Sequence, residues 1–241
     1  MRRLWLADVH ANLPAFEAVL DDAGPVDEII FLGDIIGYGP HPAACVDLLR
    51  DLRPRAVLGN HDAAVLALQG DAHAQGGAFH WDLWTLRQLT AEQLAFLQGL
   101  PETLPLSACG QEALARHQVP GAPYLHPAMP DEVLAAHVGE LSAPLVLVGH
   151  SHRALDRTVA GRRLVCLPPV GQPRNGDPRT GDAIEQAGRL TFHFAPYDVE
   201  RVAADVARLG LPEPFCQRWI NFVRTATDAQ WSREYVPDND A

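Results

Sequence analysis

Apolar residues come in short runs that each stop at a polar pair, and between these runs they recur at helical spacing. Residues 4–7 form the first run, followed by Asp-Val-His-Ala-Asn and then by a segment in which Leu13, Phe16, Val19 and Leu20 share one helix face. The pattern predicts strand, loop, helix. It returns at 28–32, where an apolar run ends at Gly33-Asp34, a Gly/Pro-rich loop leads to Pro42, and a helix is predicted over about 43–52. A third run, 56–58, ends at Gly59-Asn60-His61-Asp62. Strands alternating with amphipathic helices imply βαβ units and a parallel or mixed sheet covered by helices, an α/β fold.

From about 63 to 100 the pattern is mostly helical, interrupted at Gly70, Gly76 and Gly77. Phe79, Trp81 and Trp84 give this excursion an aromatic stripe, which suits a packed core more often than a stacking lid. Strand-like runs return at 112–116 and 144–148, with a helix predicted over about 131–141 between them. A hairpin over 154–167 turns at Ala160-Gly161, 189–194 is a further strand, and 198–209 is an amphipathic helix. No repeat or linker interrupts the pattern. One domain over 1–241 is expected, with the helical excursion at about 63–100 and a C-terminal helical extension from about 212.

Composition narrows the chemistry. A chain of 241 residues with 47% hydrophobic and 20% charged content is ordinary for a globular domain, and a net charge of -11 leaves no basic footprint for nucleic acid. All nineteen basic residues are arginine, so P-loop and Schiff-base lysine chemistry is excluded. The surplus is Asp and His, ligands for divalent metals. Cys45, Cys109, Cys166 and Cys216 show no CxxC spacing and read as reduced thiols. The apolar stretch after Arg2 and Arg3 ends at Asp8, too early for a signal peptide, and no run reaches the roughly 20 apolar residues of a membrane span. A soluble, cytoplasmic protein without membrane attachment is expected.

Single motifs carry little weight, since Asp8-Val9-His10 is a D-x-H pair that this composition produces by chance about once. Gly59-Asn60-His61-Asp62 is far rarer, with a chance of roughly one in seven hundred. Asp8/His10, Asp34, Asn60/His61 and His150/His152 each sit where an apolar strand run stops. Open α/β sheets bind ligands at the carboxyl ends of their strands, so these residues are expected to meet in space. Carboxylates, an amide oxygen and imidazoles suit Mn, Fe or Zn. On the residues alone, the aspartates also suit helix N-caps and the histidines buried hydrogen-bonding positions.

The ordered set D-x-H, G-D, G-N-H-D, a lone His and G-H-x-H resembles the calcineurin-like metallophosphoesterases. DVHAN, LGDIIGYGP, GNHD, VGHSH and VGQPRNGDPR look like the small bacterial phosphodiesterase and phosphatase branch. The resemblance implies a four-layer α-β-β-α sandwich with mixed sheets. It implies two divalent metal ions, Mn or Fe with Zn or Ni as alternatives: Asp8, His10 and His152 on the first, Asp34 bridging, and Asn60, His117 and His150 on the second. A carboxylate can span ions about 3.5–4 Å apart, and a metal-bridging hydroxide would then attack phosphorus. His61 would protonate the leaving oxygen with Asp62 as its orienter, and Arg174 would steady the substrate phosphate. The implied activity is hydrolysis of a small phosphodiester or phosphomonoester; the alternative is a binding or scaffolding module on the same fold.

Two departures bear on the site. His117 stands in His-Gln-Val-Pro where the family has H-G-x-P, and Cys166-Leu167-Pro168-Pro169 replaces the N-P-G-S that commonly precedes the VGQPR segment. His41, His73, His80, His126, His137 and His193 fit no motif and read as surface or packing residues. Tyr38 suits either packing or the cleft wall.

Overall fold

Period-two alternation sends successive residues of each strand to different layers. In β1 (Arg2–Leu6) Leu4 and Leu6 join the core shared with helices, whereas Trp5 enters the core between two sheets. The structure, a computed structural model, describes residues 1–69, 79–139 and 141–227; Gly70, His73, Gly76 and Gly77 lie outside the described residues.

The first sheet also contains β2 (Glu28–Phe31), β3 (Arg55–Ala56), β9 (Thr180–Gln186) and β10 (Arg189–Ala195), in the order β10-β9-β1-β2-β3. The second is built from β4 (Thr103–Ala108), β5 (Gln111–Arg116), β6 (Leu145–Val148), β7 (Leu155–Val159) and β8 (Arg162–Cys166), in the order β4-β5-β6-β8-β7. Both sheets are mixed. β1 runs parallel to β2 and antiparallel to β9, while β6 runs parallel to β5 and β8.

Helices cover the two outer faces. On the first sheet, α1 (Leu13–Ala23), α2 (Pro42–Leu52) and α5 (Ala91–Gln98) bury Phe16, Val46 and Leu97 against Leu4, Leu6 and Phe31. Asn12 caps α1 by accepting from Ala15 N at 3.2 Å, and Pro14 at the start of the helix has no amide to satisfy. On the second sheet, α6 (Asp131–Val138) places Leu134 and Val138 against Val146, Val148 and Leu164. Trp5, Ile30, Leu32, Leu145, Leu147 and Val165 fill the space between the sheets. The result is the expected four-layer α-β-β-α sandwich.

The excursion after the third strand is helical where described, with α3 (Asn60–Ala67), α4 (Phe79–Gln88) and α5. Trp81 is buried and packs with α7 (Val199–Ala207) and α8 (Glu213–Thr225), so it is core rather than a lid. α8 is the last described helix. Two strands differ from expectation. β9 carries buried Thr180, Asp182 and Glu185 and so lacks the apolar alternation that marks a strand, whereas β4 is a mostly exposed edge strand whose Leu104, Leu106 and Ala108 do alternate with Thr103, Pro105 and Ser107. The four cysteines are free, and no described helix is long and apolar enough to cross a membrane.

Candidate metal centre

The strands that end on polar pairs deliver them to one edge of the sandwich. Asp8 follows β1, Asp34 follows β2, Asn60 and His61 open α3, His117 follows β5, and His150 and His152 follow β6. Backbone bonds tie the loops together: Asp8 N donates to Gly33 O at 3.0 Å, His10 N to Asp34 O at 3.0 Å and Gly149 N to His117 O at 2.9 Å. Asp8, His10, Asp34, His150 and His152 all take positive φ, between 48° and 65°. Asp and His tolerate this region better than most residues, and each such turn still costs of order 1–3 kcal/mol. The loops hold seven such residues, since Ala11 and Tyr38 also take positive φ. Gly59 is required by closeness: a Cβ there would stand 2.1 Å from both Asp34 N and Asp34 Oδ1.

The side chains form two groups that share Asp34. In the first, His10 Nε2 lies 3.1 Å from His152 Nε2 and 3.7 Å from Asp34 Oδ2, and His152 Nε2 lies 3.4 Å from Asp8 Oδ1. Candidate ligand atoms of Asp8, His10, Asp34 and His152 all fall within 4.8 Å of one another. In the second, Asn60 Oδ1 stands 2.9 Å from His117 Nε2 and 2.7 Å from His150 Nδ1, and His117 Nε2 lies 3.1 Å from Asp34 Oδ2. The departure at His-Gln-Val-Pro therefore leaves His117 inside the cluster.

Second partners fix the imidazole tautomers. His117 Nδ1 donates to Leu32 O at 2.7 Å and His152 Nδ1 donates to Gln172 O at 2.6 Å, so their neutral forms turn Nε2 lone pairs toward the carboxylates. Burial, reinforced by neighbouring His152, holds His10 well below the usual imidazole range; burial and Arg174 do the same to His152. Burial and His117 bring His150 down to about 4. These three are neutral, the form that ligates metal. His117 is opposite. Burial disfavours its charge, but the Asp34 carboxylate outweighs burial and raises it to about 9, so a proton there supplies the positive charge the carboxylates demand. Burial pushes the Asp8 carboxyl up, whereas Asp34, against its own burial, is held well below the ordinary range by His117 and His61.

His61 is half-buried at the mouth, its ring 4.5 Å from that of Tyr38 and 5.1 Å from that of His10. Its amide donates to Asp34 Oδ1 at 2.8 Å, and its Nδ1 has no partner among the described residues. The expected Asp62–His61 contact is therefore corrected. Asp62 is wholly buried and accepts from Asp34 N at 2.9 Å, Gly59 N at 3.0 Å and Ile36 N at 3.1 Å, bracing two loops instead of orienting a ring. Arg174 is buried beside the centre, donating to Gln172 Oε1 at 2.7 Å with its guanidinium 5.1 Å from the Tyr124 ring. Tyr124 in turn stacks on His150 at 4.6 Å, a contact that no motif announces.

Known proteins carry the same pattern. Residues 1–185 match the model of the calcineurin-like phosphoesterase superfamily domain. The chain belongs to that superfamily. A metallophosphoesterase from Sphaerobacter thermophilus is 35% identical with a TM-score of 0.74, covering 91% of this chain and 98% of that one. The protein MJ0912 of Methanocaldococcus jannaschii is 32% identical over 86% of this chain and 93% of its own. PH1004 from Pyrococcus horikoshii OT3 shares the fold at 19% identity and a TM-score of 0.81, over 95% of this chain and 99% of that one.

Members of the superfamily generally bind divalent metals, and the cluster in this chain fits them. Asp8 and Asp34 are wholly buried, and among the described residues their ion-pair partners are imidazoles, with no arginine paired to either carboxylate. Buried carboxylates cost several kcal/mol per ion, and a divalent cation can take over the compensation that the His117 proton gives. The region beyond the matched domain also reaches the site: Trp219 of α8 stacks on Tyr38 at 5.6 Å, and Tyr38 lies 5.4 Å from the His10 ring.

Proposed function

We propose that the protein is a dinuclear metal-dependent phosphoric ester hydrolase acting on a small phosphomonoester or phosphodiester. In this reading Asp8, His10 and His152 hold one ion, Asn60, His117 and His150 hold the other, and Asp34 bridges them. The observation that carries it is the wholly buried Asp34 carboxylate, whose Oδ2 lies 3.1 Å from His117 Nε2 in one group and 3.7 Å from His10 Nε2 in the other. The residues suit Mn or Fe, with Zn or Ni as alternatives. When bound, such a pair supplies Lewis acidity toward the phosphate oxygens and makes a water molecule acidic enough to react near neutral pH.

The protein's own groups do the rest. His61, at the mouth and free of side-chain partners at Nδ1, holds the proton for the leaving oxygen. Asp62 keeps the loops of Asp34 and His61 in register through its three backbone contacts. Arg174, tied to Gln172 and laid over Tyr124, adds fixed positive charge behind His150 and His152, which favours an anionic substrate. The fold is used as one unit, since Trp219 of the C-terminal extension supports Tyr38 at the mouth.

Assays with Mn2+ on an aryl monophosphate and a bis-aryl phosphate test this reading. His61→Ala is expected to keep its metal while turnover falls at least about a hundredfold, the usual worth of a general acid. Undiminished turnover removes His61 from the mechanism, and absence of hydrolysis across both esters favours a binding module instead.

A further inference from the structure

Beside the second group of ligands lies a cleft of about 260 Å3 that shares Asn60 and His117 with the metal centre. At about 30 Å3 per water it has room for roughly eight water molecules, ample for a phosphate group. Its other polar lining comes from Arg116, Gln118 and Glu102.

Arg116 differs from the arginines that carboxylates hold elsewhere in the fold. Arg157, Arg163, Arg179 and Arg224 are each bound to a carboxylate, at 3.2, 2.6, 2.6 and 2.5 Å. Arg116 is half-buried, and its Nε is enclosed without a hydrogen-bond partner among the described residues. Leaving a buried donor unmade costs about 1–3 kcal/mol, more for a charged group, so the position is poorly explained by stability alone. Glu102 is near enough for its charge to act on Arg116. Gln118 and Glu102 are exposed at the rim. The cleft thus presents an enclosed cation, an amide that can donate, and one repelling carboxylate, next to two ligands of the proposed centre.

We propose that this cleft is a subsite for a second phosphate of the substrate, bound by the Arg116 guanidinium and the Gln118 amide while the scissile phosphate occupies the metal centre. The inference rests on the phosphoesterase reading and extends it. Substrates bearing two phosphates are preferred over those bearing one, with Glu102 setting a limit on that preference. Arg116 and Glu102 therefore act in opposite directions, which a purely structural role for either side chain does not produce.

Inorganic pyrophosphate and orthophosphate are compared as competitive inhibitors of aryl phosphate hydrolysis, and by calorimetric titration of the Mn2+-loaded protein. Arg116→Gln is expected to weaken pyrophosphate about tenfold while orthophosphate changes less than about twofold, the loss of one charge-assisted contact. Glu102→Gln, at an exposed site that leaves folding intact, is expected to strengthen pyrophosphate severalfold. Equal weakening of both anions by Arg116→Gln, or no gain from Glu102→Gln, overturns the subsite. Failure to hydrolyse any aryl phosphate overturns the underlying reading instead, and calorimetry then still decides the cleft.

Discussion

Replacing Asp62 with alanine tests whether this residue is a brace or a participant in the chemistry. Its carboxylate accepts from three buried amides, those of Asp34, Ile36 and Gly59. Orphaning each amide costs about 1–3 kcal/mol, so the sum is at least about 3 kcal/mol. Part is returned, because burial and neighbouring Asp34 push the Asp62 carboxyl up to about 7, which shows that its charge is itself held at a cost. The net loss is therefore set near the lower end, at about 3 kcal/mol. For a chain of this size that lowers Tm by roughly 6–12 °C in scanning calorimetry. Asp62→Asn keeps one acceptor oxygen and should fall between. His61→Ala, by contrast, removes no side-chain hydrogen bond seen in the structure and should shift Tm by less than about 2 °C. A shift that small for Asp62→Ala would refute the brace.

Two further outcomes follow from the packing. Gly59→Ala drives a Cβ into Asp34 N and Oδ1 at 2.1 Å, so metal binding should be lost together with about 3 kcal/mol of stability; retention of both in a metal-content and melting assay would contradict the loop geometry. Asp182, buried on β9 with both carboxylate oxygens unpartnered among the described residues, is raised by burial and by Asp22 from 3.8 to about 7. Between those values the folded chain keeps a proton that the unfolded chain releases, so stability falls as pH rises through this window and levels off above it. Relative to wild type, Asp182→Asn should gain up to about 4 kcal/mol between pH 4 and pH 8, and a pH-independent difference in urea unfolding would oppose this.

Much of the architecture is legible because strand alternation is strict where both faces are buried: Leu4, Trp5 and Leu6 take opposite sides, as do Leu145, Val146, Leu147 and Val148. It fails at β9, where Thr180, Asp182 and Glu185 are buried polar residues whose place is set by tertiary partners such as Arg3 and Trp5, which both donate to Glu185. Six of the candidate ligands were legible as polar residues at strand ends and His117 only through the family resemblance, and the structure brings all seven together. Asp62 was misread because adjacency to His61 suggests a contact, whereas the first turn of α3 points its carboxylate at backbone amides instead. Tyr124 and Arg116 carry no motif. Their positions beside His150 and His117 follow from loop closure and sheet register, which local spacing does not encode.

The central claim is that Asp34 bridges two ions, and metal content per chain after equilibration with Mn2+ tests it most directly. Wild type should bind two ions, and Asp34→Asn, which loses one charged oxygen, should bind at most one weakly. Two ions retained by Asp34→Asn, or none bound by wild type, would contradict the account.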